Sequence, residues 1–195
     1  MVITAAAFAV IAPQAVSGEQ TTFEQRGGAS TRSPDGKWQI FSRPGDSSRA
    51  WEDPRSDASL WLHTRKGDRF LTRYRRDGSL YWLGDGRRAL FVHRDTHFHD
   101  ARLFTLSGTA VAERRVQSVV IKGMAAISPR LGSIENRSID VRLRKDGGLC
   151  LSVEESGLPP GRSVGSFVAK TGIFRVDSDG QISSVRSCGD AAEKS

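Results

Sequence analysis

Ser33-Pro34-Asp35-Gly36-Lys37-Trp38-Gln39-Ile40-Phe41-Ser42, set above Leu83-Gly84-Asp85-Gly86-Arg87-Arg88-Ala89-Leu90-Phe91-Val92, decides how this chain folds. Each stretch reads as a tight turn running into an apolar strand. Pro34 presets φ for the second position of a turn, Asp35 tolerates the bridge region, and Gly36 accepts the left-handed conformation that follows. The second copy exchanges the proline for Gly84 and keeps Asp85-Gly86. Downstream of each copy comes a second apolar strand, Leu60-Trp61-Leu62 after the first and Leu103-Phe104-Thr105-Leu106 after the second. Each of these ends in a polar turn, Lys66-Gly67-Asp68 and Ser107-Gly108-Thr109. The unit is therefore turn, strand, loop, strand, turn.

With Trp82 included, the second copy resembles the W-S-P-D-G-x-x-[IL]-x-[FY] repeat of TolB-type β-propellers, and Ser33 to Phe41 supplies the first copy. The resemblance covers roughly residues 31–110. It implies four-stranded antiparallel blades, closure around a central channel, and a role in binding rather than obligatory catalysis. At about 40–45 residues per blade the chain holds at most about four, so a complete propeller is not expected.

Outside the repeats the signals change. Val116, Val119, Val120, Gly123, Met124 and Ile127 fall at helical spacing behind Glu113-Arg114-Arg115, which predicts one short amphipathic helix near 113–127; Val119-Val120-Ile121 also suits a buried strand. Ile139, Val141 and Leu143 alternate on one face, Lys145-Asp146-Gly147-Gly148 turns the chain, and Leu149, Leu151 and Val153 return, which predicts a hairpin. Phe167-Val168, Ile173 to Val176, an Asp177-Ser178-Asp179-Gly180 turn and Ile182 to Val185 complete a second antiparallel sheet. The expected fold is thus mainly β: a single domain over 19–195, with propeller-like repeats over 31–110 and a C-terminal sheet over 128–189.

Residues 1–18 carry no charge and hold the apolar run Val2 to Ala12, the length of a signal-peptide core rather than of a membrane span. Small residues at Ala15, Ser17 and Gly18 offer a cleavage site, so a signal peptide over 1–18 and a periplasmic or secreted product are expected, with no transmembrane segment. The alternative reading of the run is a buried first strand or helix. The formal net charge of +7 resides in what remains and attracts polyanions. Nucleic acid is not an expected partner, since no dedicated nucleic-acid motif is present. The two cysteines, Cys150 and Cys188, form an even pair in an exported chain, which predicts an intrachain disulfide; two unpaired thiols are the alternative.

Candidate sites are few. His93, Asp95, His97 and His99 would share one face of an extended segment and could ligate zinc or copper there; on a hairpin loop that alternation is lost. The long Pro-, Gly- and Ser-rich segment 43–59 carries Trp51 beside Arg49, a candidate recognition anchor. Arg73, Arg75 and Arg76 belong to an arginine series that could form a basic surface. Gly161-Arg162-Ser163-Val164-Gly165 matches the string of a nucleophile elbow, but every histidine lies upstream and no helix signal follows, so it reads as a glycine-rich loop. No catalytic set and no cofactor is expected. The leading expectation is an exported, non-enzymatic binding protein that uses loops on a β scaffold to hold another exported protein or an anionic envelope component. One alternative is an inhibitor or immunity-type protein that neutralises an exported enzyme or toxin. A second is a metal-dependent enzyme at His93–His99.

Overall fold

The computed structural model describes residues 20–50, 53–127 and 130–189. The leader expected over 1–18 and the candidate anchor Trp51 lie outside the described residues.

Both Asp-Gly motifs form tight hairpin turns. In the first, the Gly36 N–H donates to the Ser33 carbonyl at 2.8 Å and the Ser33 N–H to the Trp38 carbonyl at 2.9 Å. The Asp35 carboxylate accepts from the Lys37 N–H at 3.1 Å. The second repeats this with Gly86 to Leu83 and Leu83 to Arg88, both 2.9 Å, while Asp85 accepts from the Arg87 N–H at 2.9 Å. Gly36 and Gly86 sit at φ +69° and +62°, the left-handed region that glycine enters without a Cβ penalty.

Each turn opens a four-stranded antiparallel meander. The first consists of β2 (Ser30–Arg32), β3 (Gln39–Arg43), β4 (Ala58–Thr64) and β5 (Gly67–Tyr74). The second consists of β6 (Gly78–Trp82), β7 (Arg88–Asp95), β8 (Phe98–Ser107) and β9 (Ala110–Arg115). A third, β10 (Asn136–Leu143), β11 (Leu149–Gly157), β12 (Val168–Val176) and β13 (Ile182–Val185), opens on the same device. Gly147 donates to the Arg144 carbonyl at 3.0 Å, and Asp146 accepts from the Gly148 N–H at 3.1 Å.

The C-terminal strands pair antiparallel as expected, yet they do not form a separate sheet. A single parallel bridge, Arg137 to Phe98, joins β10 to β8, and β1 (Gln20–Phe23) pairs antiparallel with β6. Among the described residues the result is one nine-stranded sheet beside the four-stranded first meander.

The middle meander is buried on both faces, which explains why Leu80 to Leu83 and Ala89 to Val92 are continuous apolar runs and not alternating ones. Leu80, Trp82, Ala89, Phe91, Phe104 and Leu106 pack with Ile40, Leu60, Leu62, Leu71 and Tyr74 of the first meander. On the opposite face, Tyr81, Leu83, Leu90, Val92 and Leu103 meet Leu149, Leu151, Val153, Phe174 and Val176 of the third. Each such side chain contributes roughly 1.5–3 kcal/mol on burial.

The helix α1 (Gln117–Ala125) caps that second core, with Val116, Val120 and Met124 buried along one side. It begins later than the sequence suggests. Glu113, Arg114 and Arg115 belong to β9 and pair with Phe104, Leu103 and Arg102. Their ladder bonds outweigh a helical pattern that begins properly only at Val116, and the exposed outer edge tolerates their charge. The helix lies so close to β12 that a Cβ at Gly123 would stand 2.5 Å from the Phe174 ring.

Cys150 and Cys188 form a disulfide, with Cα atoms 5.8 Å apart, that ties the segment after β13 to the outward face of β11. No helix among the described residues is long and apolar enough to cross a membrane.

Candidate functional site

Strand direction sorts the connections to two ends. The three Asp-Gly turns lie at one, the turn end: the Gly84 N–H donates to the Gly147 carbonyl at 2.8 Å, and a Cβ at Gly86 would stand 3.3 Å from the Asp35 carboxyl. The connections 44–57, 75–77, 126–135 and 158–167 lie at the other, the loop end.

A cleft of about 530 Å³ opens at the turn end, lined by Lys37, Trp38, Arg87, Arg88 and the Thr105–Gly108 strand end. Its cations are largely answered. Lys37 pairs with Asp35 at 3.0 Å, and Arg88 bonds Asp85 and, at 3.3 Å, the Ser178 carbonyl. Arg87 has no carboxylate within ion-pair reach among the described residues, which leaves the cleft a single unanswered positive charge. That is thin support for a dedicated anion site.

The candidate arginines fall on the loop-end side of the first meander. Arg49 pairs with Asp46 at 3.2 Å, and Arg75 with Asp57 at 3.1 Å and Asp95 at 3.9 Å. Arg73, opposite Ser59 on β5, and Arg76, just beyond that strand, are exposed. Two of the four thus sit beside carboxylates and do not add to one basic field.

The histidines are not gathered. The chain reverses between Asp95 and Phe98, with Thr96 at φ +48°, so the single extended segment needed for a shared ligand face does not exist. His93 is buried on β7, stacks on Phe91 and lies 3.7 Å from the Asp100 carboxylate. Burial would push the Asp100 carboxyl up, but His93 and Arg102, 3.2 Å away, hold it below the usual range. His99 pairs with Arg94 on the opposite face from His93, and its Nδ1 accepts from the Ile139 N–H at 3.0 Å. Burial pushes its pKa down. His97 is exposed at the turn. Among the described residues, no three His, Cys, Asp or Glu side chains are placed to hold a metal ion.

Sequence reasoning missed a row of buried charge. Arg137, Glu155 and Lys170 are direct cross-strand neighbours on β10, β11 and β12. Arg137 donates twice to Glu155 Oε1, at 2.8 and 2.6 Å, and Lys170 Nζ lies 3.3 Å from Glu155 Oε2. Lys170 also donates to the Met124 carbonyl at the C-terminus of α1, at 2.9 Å. With the Gln117 amide oriented by its neighbours, its oxygen accepts from Arg137 at 2.8 Å and its nitrogen donates to Asp100 at 3.3 Å. The sequence signal is that Arg137, Glu155 and Lys170 fall in phase with the inward residues Ile139, Val153 and Gly172. The row holds the helix on the sheet.

The loop end also carries exposed apolar side chains. Phe98 opens β8, Ile134 precedes β10, and Val164 and Phe167 lie in the connection between β11 and β12. The pairs Phe98 with Arg137, Asn136 with Ser156, and Gly157 with Val168 set these strand ends side by side.

The chain matches no known protein family, no curated protein and no solved structure.

Proposed function

We propose that the protein is an exported, non-enzymatic binding protein that meets its partner at the loop end. Four of the six large exposed hydrophobics among the described residues, Phe98, Ile134, Val164 and Phe167, gather there, and this observation carries the reading. Loops on a rigid sheet scaffold commonly bear function, and apolar side chains grouped in water mark contact surfaces. Kinship with TolB-type repeats is part of the proposal; three meanders that each open on an Asp-Gly turn support it. The uncharged leader and the disulfide support an oxidising compartment. A second reading, an inhibitor or immunity-type protein that neutralises an exported enzyme or toxin, draws on Val164, whose 82% exposure at a loop tip suits entry into a cleft.

The test is site-specific photocrosslinking in cells of the source organism. A photoreactive side chain at position 164 should yield adducts in the envelope or secreted fraction, and the same group at Lys66, at the turn end, should not. Adducts from both positions alike, or a product found only in the cytosol, would overturn the proposal.

A further inference from the structure

Resting on that reading of the loop end, we infer that the connection 158–167, together with Ile134 and Phe98, docks on an anionic lipid surface. The exposure of Val164, at 82%, and of Phe167, at 57%, is large for apolar residues in water. Neither is part of a flat apolar face. They project from a segment turned by Gly161 and Gly165, both at positive φ (+74° and +142°), so each tip reaches outward independently.

The charge around the tips is complementary to acidic headgroups. The connection 158–167 contains the exposed Arg162 and no aspartate or glutamate. Lys122, in the last turn of α1, and Arg130 are also exposed on neighbouring connections, and the helix C-terminus is held to the start of β12 through Lys170. Beside the 158–167 connection the acidic residues are Glu135, bonded to Ser133 at 2.9 Å, and Glu154 on the outward face of β11, with Glu155 enclosed by Arg137 and Lys170. Further along this end, Asp95 opposite Phe98 lies 3.9 Å from Arg75, Asp77 is exposed, and Asp46, Asp53 and Asp57 pair with Arg49, Arg55 and Arg75.

Apolar tips with cations between them match the layered chemistry of a bilayer surface, where phosphates meet the cations and the acyl boundary receives the tips. A protein partner of ordinary size would need a broad contiguous patch with aromatic anchors at its centre. Here the apolar residues are spread over three segments, the start of β8, the residues before β10 and the 158–167 connection, with polar backbone between them.

The experiment is co-sedimentation of the full chain with vesicles of phosphatidylcholine alone and of phosphatidylcholine mixed with phosphatidylglycerol. Binding is expected only to the mixed vesicles, and to weaken as salt is raised. Val164→Ser with Phe167→Ser should lower the partition about tenfold or more, since both tips lose their apolar burial. Arg130→Ala with Arg162→Ala should lower it and flatten its salt dependence. Arg87→Ala, at the turn end, should leave it unchanged. All five substituted sites are exposed, so the variants should fold, which circular dichroism checks. Absence of binding to the mixed vesicles overturns the inference, as does equal binding by the Val164→Ser, Phe167→Ser variant. Crosslinks from position 164 to a protein, with no vesicle binding, overturn the lipid assignment and leave the loop end as the working surface. Loss of the crosslinks in cells despite normal vesicle binding would reject the broader proposal instead.

Discussion

Replacing Glu155 by glutamine strips the anion from the row Arg137–Glu155–Lys170 while keeping its shape. The carboxylate is 1% exposed and its two cations 5% and 6%, so water cannot substitute for it without opening the sheet under α1. Removing one member of such a buried group costs roughly 3–5 kcal/mol, because the remaining charges stay desolvated and unanswered. At roughly 2–4 °C per kcal/mol for a domain of this size, the midpoint of thermal unfolding should fall by roughly 6–20 °C. Urea unfolding followed by circular dichroism gives the free energy directly. A triple variant, Arg137→Met, Glu155→Leu and Lys170→Met, removes every charge together and should recover most of the loss. If Glu155→Gln unfolds within about 1 kcal/mol of the parent, the row is hydrated and the reasoning fails.

Cys188→Ser should cost about 4 kcal/mol, from the entropy of freeing a 38-residue loop, and should abolish the sensitivity of the melting temperature to reductant. Two titrations should shape the pH profile of unfolding. The Arg144 guanidinium holds the Asp146 carboxyl at about 2, below its unfolded value near 4, so that increment is present above about pH 4 and is lost as pH falls towards 2. Its exposure limits the effect to under about 1 kcal/mol, and Asp146→Asn should flatten that limb. His99, held neutral by burial, loses stability on the acid side of its unfolded value near 6.5, and His99→Gln should remove the slope there while leaving the Asp146 limb intact.

The turns were the most legible part of the sequence, because Asp-Gly at a fixed offset before an apolar run has one comfortable backbone solution. The hairpin of β10 and β11 was equally readable: Ile139, Val141 and Leu143 face Val153, Leu151 and Leu149 as their alternation requires. Strand β5 was harder. Arg69, Arg73 and Phe70 are all exposed along an edge, so its alternation is blurred and it read as an arginine series. Glu113-Arg114-Arg115 misled for a related reason, since an edge strand with both faces wet carries no apolar rhythm. The histidine face failed because it depended on whether 93–99 runs straight, which two residues, Thr96 and His97, decide. The buried row was illegible because a charge turned inward looks in sequence like one turned outward. Only three-strand register brings Arg137, Glu155 and Lys170 together.

The pairing of β1 with β6 has a consequence for the order of assembly. Gln20 to Phe23 take their ladder partners from Tyr81 to Gly78, so the entire first meander is spun out as an excursion between two halves of one hairpin-like contact. In a chain made from its N-terminus, this first described strand must wait, unpaired, until residues some sixty positions later emerge. The first meander can zip through its local turns in that interval, whereas closing the long loop is an entropic step that local structure cannot shortcut. Docking of β1 then reads as a latch thrown after the middle meander exists, sealing Phe23 against Phe91 as it closes.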